Sequence, residues 1–211
     1  MLMRSSVYAA LKSDIIACRL LPGVELREPD IATRYSVSRS PVRDAMLRLE
    51  AEGLVQIVPR QFYRVAPISL RDATDLFHMR RLLEPQAARD AAQNADEPAL
   101  ALLQLAAEHP PGADFIDSNR RFHCMIAGTA SNRRLAATCI DCIEQSDRLV
   151  RISLGQIEGR QPGRLVGEHL AIVAAIVNRD GRTAAKLLRT HIDAAEARVL
   201  AALRRQPIVT D

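Results

Sequence analysis

The sequence predicts a mainly α-helical protein in two parts: a mixed N-terminal region, then a longer region that is helical throughout. Apolar residues recur with helical spacing over most of the 211 residues, and strand-like segments occur only between residues 54 and 65. A composition of 48% apolar and 26% charged residues suits globular domains with packed cores. At about 100 to 200 residues per domain, the length allows one or two domains.

Composition also excludes several classes of protein. The longest apolar run, at 170–177, is far shorter than the ~20 residues that span a bilayer, and the first residues lack the apolar stretch of a secretory signal. The four cysteines are too few for a secreted disulfide framework, and Cys139 and Cys142 lie within one amphipathic helical pattern. We therefore expect a cytoplasmic protein with reduced cysteines and no membrane partner.

The N-terminal region contains three short helical segments. The first runs to the turn at Pro22-Gly23, and the second covers roughly 29–35. The third begins near Ser40-Pro41, where serine is a good N-cap and proline suits the first turn, and it ends at Glu52-Gly53. Three helices in this order predict the helical part of a DNA-binding module.

A hairpin follows these helices. Residues 54–58 predict a strand, and residues 63–65 predict its partner across a turn at 59–62. Three helices followed by a hairpin form a winged helix-turn-helix. Because residues 67–69 resemble a short linker, we place the first domain at 1–67 and the second at 68–211.

The second domain is predicted to be an all-α bundle without strands. Breaks rich in Pro, Gly and Asp separate its helical segments. These segments are 70–93, with Pro85 inside and a kink expected there, 98–108, 114–130, 133–156, 164–179 and 182–206.

The start of the third helix carries the candidate DNA-binding residues: Ser38, Arg39, Ser40, Pro41 and Arg43. A helix N-terminus attracts phosphate, and Arg39 and Arg43 share a face from which each can donate bidentately to guanine in the major groove. The first 68 residues hold 10 basic and 7 acidic residues, and aromatic residues, at 3%, are too few for single-strand binding by stacking. We expect double-stranded DNA as the partner.

The segment 37–55, which begins Val-Ser-Arg-Ser-Pro-Val-Arg-Asp-Ala, resembles the DNA-binding domain of GntR-type bacterial transcription regulators. With Pro22-Gly23 and the hairpin, the resemblance covers nearly all of 6–67. Two residues depart from the family pattern: Ser36 replaces the usual Gly of the turn, and Phe62 replaces the usual Gly of the wing tip. The resemblance implies recognition of operator DNA.

Three of the five histidines, His123, His169 and His191, lie on apolar faces of three different predicted helices. Asn119 precedes His123 by one turn and shares its face. Three imidazoles that converge in a bundle are typical of a His₃ metal site. Core histidines bonded to backbone would show the same pattern, and no local His-Glu-x-x-His spacing links these three. The residues alone leave both interpretations open.

Residues 76–84 (Leu-Phe-His-Met-Arg-Arg-Leu-Leu-Glu), 119–123 and 168–192 resemble the effector domain of the FadR subgroup, known as FCD. In many members of that subgroup an Asp and three His hold a divalent metal. Carried over by position, the ligands are Asn119, His123, His169 and His191, with an amide in place of the carboxylate. The resemblance implies a divalent metal, with zinc, nickel and manganese as candidates.

A cavity lined by such a metal suits a small carboxylate effector, with Arg80 as its cationic partner. Arg80 could instead pair with Glu84, four residues further along the same helix. Arg148 and Arg151 are further candidates for the cavity.

These observations predict a ligand-responsive transcription regulator that binds operator DNA as a homodimer, because one helix covers too few base pairs. A metal-dependent hydrolase with a basic N-terminal module is the alternative from another class. That reaction needs a general base, and Glu168 is predicted to point to a different side of its helix from His169. A DNA-binding regulator with a purely structural histidine cluster is the third possibility. We expect no catalytic residues.

Overall fold

The computed structural model describes residues 4–59, 61–110, 112–154, 162–205 and 209–210. The chain divides into two compact units: the first contains the described residues up to Ser69 together with Val209–Thr210, and the second runs from Leu70 to Arg205. The division lies two residues after the predicted boundary. None of the described helices is long and apolar enough to cross a membrane.

Three helices lie in the first unit: α1 at Arg4–Ile16, α2 at Glu28–Arg34 and α3 at Arg39–Ala51. Helix α1 ends earlier than predicted, because Cys18 has a left-handed φ of 54° and the next two backbone N–H groups bond to the Asp14 carbonyl. Helix α3 begins one residue early, with Ser38 at the N-cap, so Ser40 is not its cap. It ends as expected before Gly53, whose φ of 71° is the left-handed conformation of a helix end.

An antiparallel sheet of three strands completes the winged helix-turn-helix. Its strands are β1 at Glu25–Leu26, β2 at Val55–Val58 and β3 at Phe62–Val65, in the order β1-β3-β2. The predicted hairpin is confirmed. Strand β3 begins one residue early because Val58 pairs with Phe62, which leaves three residues for the turn. Strand β1 was not predicted.

A second, parallel pair of strands joins β4 at Ile68–Ser69 to β5 at Val209–Thr210. The expectations that residues 67–69 form only a linker and that the rest of the chain is helical are therefore wrong. Each strand has two residues, which is too short to show the alternation that identifies a strand in sequence.

The core of the first unit is built from the apolar stripes of its helices and the inner face of its sheet. Asp14 adds a polar link between α1 and α2, since it accepts hydrogen bonds from Tyr35 Oη at 2.5 Å and Arg34 Nη2 at 3.1 Å. The largest fully buried apolar side chains here are Leu11, Ile15, Met46, Leu49 and Leu54.

Six helices lie in the described residues of the second unit, and the predicted bundle is confirmed. They are α4 at Leu70–Asn94, α5 at Glu97–Ala107, α6 at Phe115–Gly128, α7 at Arg133–Leu154, α8 at Pro162–Val177 and α9 at Gly181–Leu203. Helix α4 continues through Pro85.

Helix α4 packs most extensively against α9. At the start of α9 a side chain on Gly181 would lie 3.2 Å from the Arg89 Cα, so glycine permits the close approach. Beside it, the Arg179 guanidinium donates to the carbonyls of Ala92 and Ala95 at the end of α4. These contacts fix the register of α9, which carries one of the three candidate histidines.

Candidate metal centre and nucleic-acid interface

Three buried histidines from three helices meet inside the second unit. His123 lies on α6, His169 on α8 and His191 on α9, and none is more than 5% exposed. One ring nitrogen from each lies within 4.8 Å of the others, and their ring centroids are 4.9 to 5.6 Å apart. The structure therefore brings together the three histidines that the sequence singled out.

Two carboxylates orient this histidine cluster. Glu84 on α4 lies 2.5 Å from His123 Nδ1, and Glu168 on α8 lies 2.7 Å from His191 Nδ1. Each contact leaves Nε2 of that histidine as the nitrogen available to a ligand. Carboxylate–histidine pairs of this kind fix the tautomer and ring orientation of metal-binding imidazoles.

His169 has no such partner. Its ring stacks on Phe122 with centroids 3.9 Å apart, and its Nε2 is buried without a hydrogen-bond partner in the described structure. An orphaned imidazole nitrogen in an apolar interior is rare, and one common reason is a missing ion or water. Three imidazoles with carboxylates behind two of them are a donor set that suits Zn²⁺, Ni²⁺ or Mn²⁺.

Burial controls the protonation of two of the three histidines. It lowers the pKa of His123 to about 4, although Glu84 opposes this shift, and it lowers the pKa of His169 to about 2 with help from the other two imidazoles. Burial raises the pKa of Glu84, but Arg80 and His123 outweigh it and hold that pKa at about 2. At neutral pH, His123 and His169 are uncharged, as metal ligands must be.

Asn119 lies on α6 one turn before His123, on the same side of the helix. Its side chain is half-buried and makes no hydrogen bond within the described parts of the chain. The amide oxygen is therefore not engaged elsewhere in the described structure.

Arg80 is buried on α4, and its Nε donates to Glu84 at 2.5 Å. The pairing that the sequence offered as an alternative for Arg80 is therefore present. Because Glu84 also contacts His123, Arg80 is connected to the histidine cluster through one carboxylate. Of the two further arginines, Arg148 is buried, and Arg151 pairs with Asp117 on α6 at 2.6 Å.

Three buried or half-buried carboxylates escaped the sequence analysis or were placed wrongly in it. Glu168 was considered only as a general base, and Glu84 only as a partner of Arg80, because their contacts with histidines join different helices. Asp147, buried on α7 and 2.9 Å from Arg120 Nε, was not considered at all. The only available signal was the polar run Ser146, Asp147, Arg148 inside an otherwise amphipathic helix.

The candidate DNA-binding residues lie together at the start of α3. Ser38, Arg39, Ser40 and Arg43 are exposed, and Pro41 is half-buried in the first turn. The N–H groups of this turn have no partners inside the helix, and the helix dipole favours an anion there. Arg43 also contacts Glu28 at the start of α2. The arrangement suits a phosphate backbone next to an exposed edge of bases.

Two protein-family models match the chain. The model described as "FCD domain" matches residues 75–194, and the one described as "Bacterial regulatory proteins, gntR family" matches residues 3–65. The first match covers more than half of the chain. The two matches fall within the all-helical bundle and the winged helix-turn-helix respectively.

Similar proteins carry regulator names. The HTH-type transcriptional repressor RspR of Escherichia coli (strain K12) is 29% identical over 198 residues, which are 90% of this chain and 86% of RspR. The Nta operon transcriptional regulator of Aminobacter aminovorans is 27% identical and covers 81% of this chain and 82% of its own.

Solved structures share the fold. A GntR regulator from Rhodococcus sp. RHA1 has a TM-score of 0.79 at 24% identity, covering 94% of this chain and 98% of its own. E. coli McbR/YncC has a TM-score of 0.78 at 21% identity, covering 93% of this chain and 96% of its own.

The hydrolase alternative is wrong, because the matched family and the named relatives are regulators. The chain belongs to the FCD family and carries a GntR-type helix-turn-helix, so it is a DNA-binding transcription regulator and not an enzyme.

Proposed function

We propose that this regulator binds double-stranded operator DNA as a homodimer and senses a small carboxylate at a divalent metal. We assign the DNA contacts to α3 through Ser38, Arg39, Ser40, Pro41 and Arg43. We assign the metal to Asn119, His123, His169 and His191. The DNA-binding domain would be residues 1–67, and the effector and dimerisation domain residues 68–211.

The metal assignment is carried by the buried Nε2 of His169. This atom has no hydrogen-bond partner in the described structure, and two other imidazoles lie next to it. A purely structural cluster would leave this nitrogen unsatisfied, which costs free energy in an apolar interior. When bound, a divalent cation would supply a Lewis-acidic position for an anionic oxygen. Glu84 and Glu168 would hold two of the imidazole rings in place for it.

Arg80 is the proposed cationic partner of the effector. Its contact with Glu84 engages Nε, and a guanidinium carries four further N–H donors on its two Nη atoms. A carboxylate could therefore be bound without breaking the Arg80–Glu84 pair. RspR and a second E. coli relative, GlaR, are named repressors, and we propose repression for this chain as well.

The metal assignment is tested on protein purified without chelator. We expect elemental analysis to find a bound divalent metal, and we expect added zinc, nickel or manganese to raise the melting temperature, because a ligand of the folded state stabilises it. His191→Ala should lose both effects, and Asn119→Asp should bind the metal more tightly through its charged oxygen. His78→Ala, which changes an exposed histidine of α4, is the control.

If the wild type holds no metal and shows no thermal shift with any of the three ions, the cluster is structural. The effector is tested separately by thermal-shift measurements with small monocarboxylates. Stabilisation should occur with the metal-loaded protein and disappear after chelation. Stabilisation that survives chelation would place the carboxylate at arginine side chains alone.

A further inference from the structure

In the first unit, a carboxylate holds one of the candidate DNA-binding arginines. Arg43 Nε lies 3.0 Å from Glu28 Oε1, and Arg43 Nη2 lies 2.9 Å from Glu28 Oε2. Tyr63 on β3 donates its hydroxyl to Glu28 Oε1 at 3.0 Å. The pair therefore connects α2, α3 and the wing hairpin.

The edge of the guanidinium that Glu28 occupies determines what Arg43 can still do. Glu28 takes the side edge, formed by Nε and one N–H of Nη2. The end edge of the guanidinium, formed by Nη1 and the second N–H of Nη2, stays available, and the Arg43 side chain is 62% exposed. Guanine O6 and N7 together accept hydrogen bonds from two parallel N–H groups, and this end edge can supply them.

We propose that Glu28 is a positioning residue that aims Arg43 at a guanine, and that Tyr63 holds Glu28 in place for this role. This inference rests on the proposed function, in which α3 reads operator DNA. Glu28 also cancels most of the charge that Arg43 would present to phosphate. Arg43 should therefore contribute to sequence discrimination and little to salt-dependent, non-specific binding.

Glu28→Gln separates positioning from charge. In this variant an uncharged amide replaces the carboxylate that holds the Arg43 guanidinium, so Arg43 must be ordered when DNA binds. Ordering one long side chain should weaken specific binding about three- to tenfold. The loss of one negative charge should at the same time strengthen binding to unrelated duplex. The two affinities should move in opposite directions.

The chain offers a matched control. Glu25 on β1 is half-exposed and contacts Arg27 at 3.7 Å, so Glu25→Gln removes the same charge from the same unit without touching Arg43. This variant should strengthen binding to both duplexes alike. Tyr63→Phe should change the ratio of the two affinities in the same direction as Glu28→Gln, by a smaller factor, and it provides the test if Glu28→Gln does not fold.

The experiment uses the full chain and a duplex enriched by the wild type from a random library, with a scrambled duplex of equal length. Dissociation constants are measured over a range of salt concentrations. If Glu28→Gln behaves like Glu25→Gln, Glu28 acts by charge alone and the inference is wrong, while the proposed function stands. If the wild type enriches no sequence, operator recognition fails and the inference fails with it.

Discussion

Ser36 carries backbone strain in the turn between α2 and α3. Its φ is 53°, in the left-handed region where a side chain clashes with the backbone and glycine does not. The departure from the GntR pattern at this position therefore has a physical meaning. The turn keeps the conformation that glycine favours although the chain has lost the glycine.

Ser36→Gly should therefore stabilise the first unit. Relief of the left-handed strain outweighs the greater flexibility of glycine in the unfolded chain, and we expect a gain of about 0.5 to 1 kcal/mol. Urea unfolding followed by circular dichroism measures it. Ser36→Ala, which keeps a Cβ, should show no gain, and equal stability of all three proteins would contradict the assigned strain.

Asp147 is a second residue whose environment has a measurable consequence. Burial raises its pKa to about 7, although Arg120 and Arg151 both act to lower it. An unfolded aspartate has a pKa near 4. Between these values the folded chain binds a proton that the unfolded chain has released, so the contribution of Asp147 to the free energy of unfolding falls as pH rises from about 4 to 7.

Asp147→Asn should remove this dependence. The difference in free energy of unfolding between the variant and the wild type should increase by about 2 kcal/mol, in favour of the variant, from pH 5 to pH 8. The comparison with the wild type is essential, because the lowered pKa values of His123 and His169 act in the opposite direction. Asp75→Asn, at an exposed position of α4, is the control. The same gain in both variants would contradict the claim that burial of the Asp147 carboxylate causes the pH dependence.

The long helices were predictable from the sequence, and the contacts between them were not. Helix α4 was predicted to within a residue because its apolar stripe spans several turns. Strands β1, β4 and β5 have two residues each, and their pairing depends on distant parts of the chain.

In the histidine cluster too, some features were predictable from the sequence and others were not. His123, His169 and His191 share apolar faces with their neighbours, so the sequence could predict their convergence. Glu84 and Glu168 bond to histidines on other helices, and no local spacing reveals such a contact.

The proposed dimer needs an interface between its two copies. Residues 98–107 of α5 contain no charged side chain, and while one face packs inward, Leu102 and Leu105 are 51% and 61% exposed. The exposed face is apolar apart from Gln104, and an apolar helix face is normally covered. A second copy is the cover we propose, because recognition of a palindromic operator requires one.

The wild type should sediment as a dimer at micromolar concentration, and the double variant with Leu102→Glu and Leu105→Glu as a monomer with unchanged helix content. Two charges placed in an apolar contact cannot be desolvated without a large cost. Leu82→Glu changes an equally exposed leucine of α4 and should remain dimeric. If only this control dissociates, α4 supplies the interface; a monomeric wild type would exclude the dimer.

The contact between Glu84 and Arg80 also determines the charge count of the proposed metal site. Arg80 pairs with Glu84, and Arg164 pairs with Glu168 at 3.2 Å, so both carboxylates in contact with the buried imidazoles have a cationic partner. A divalent cation among them would leave a surplus of two positive charges. An Asp at position 119 would cancel one of these charges, whereas Asn119 leaves both, so the amide that weakens the hold on the metal would strengthen the attraction of the site for an anionic ligand.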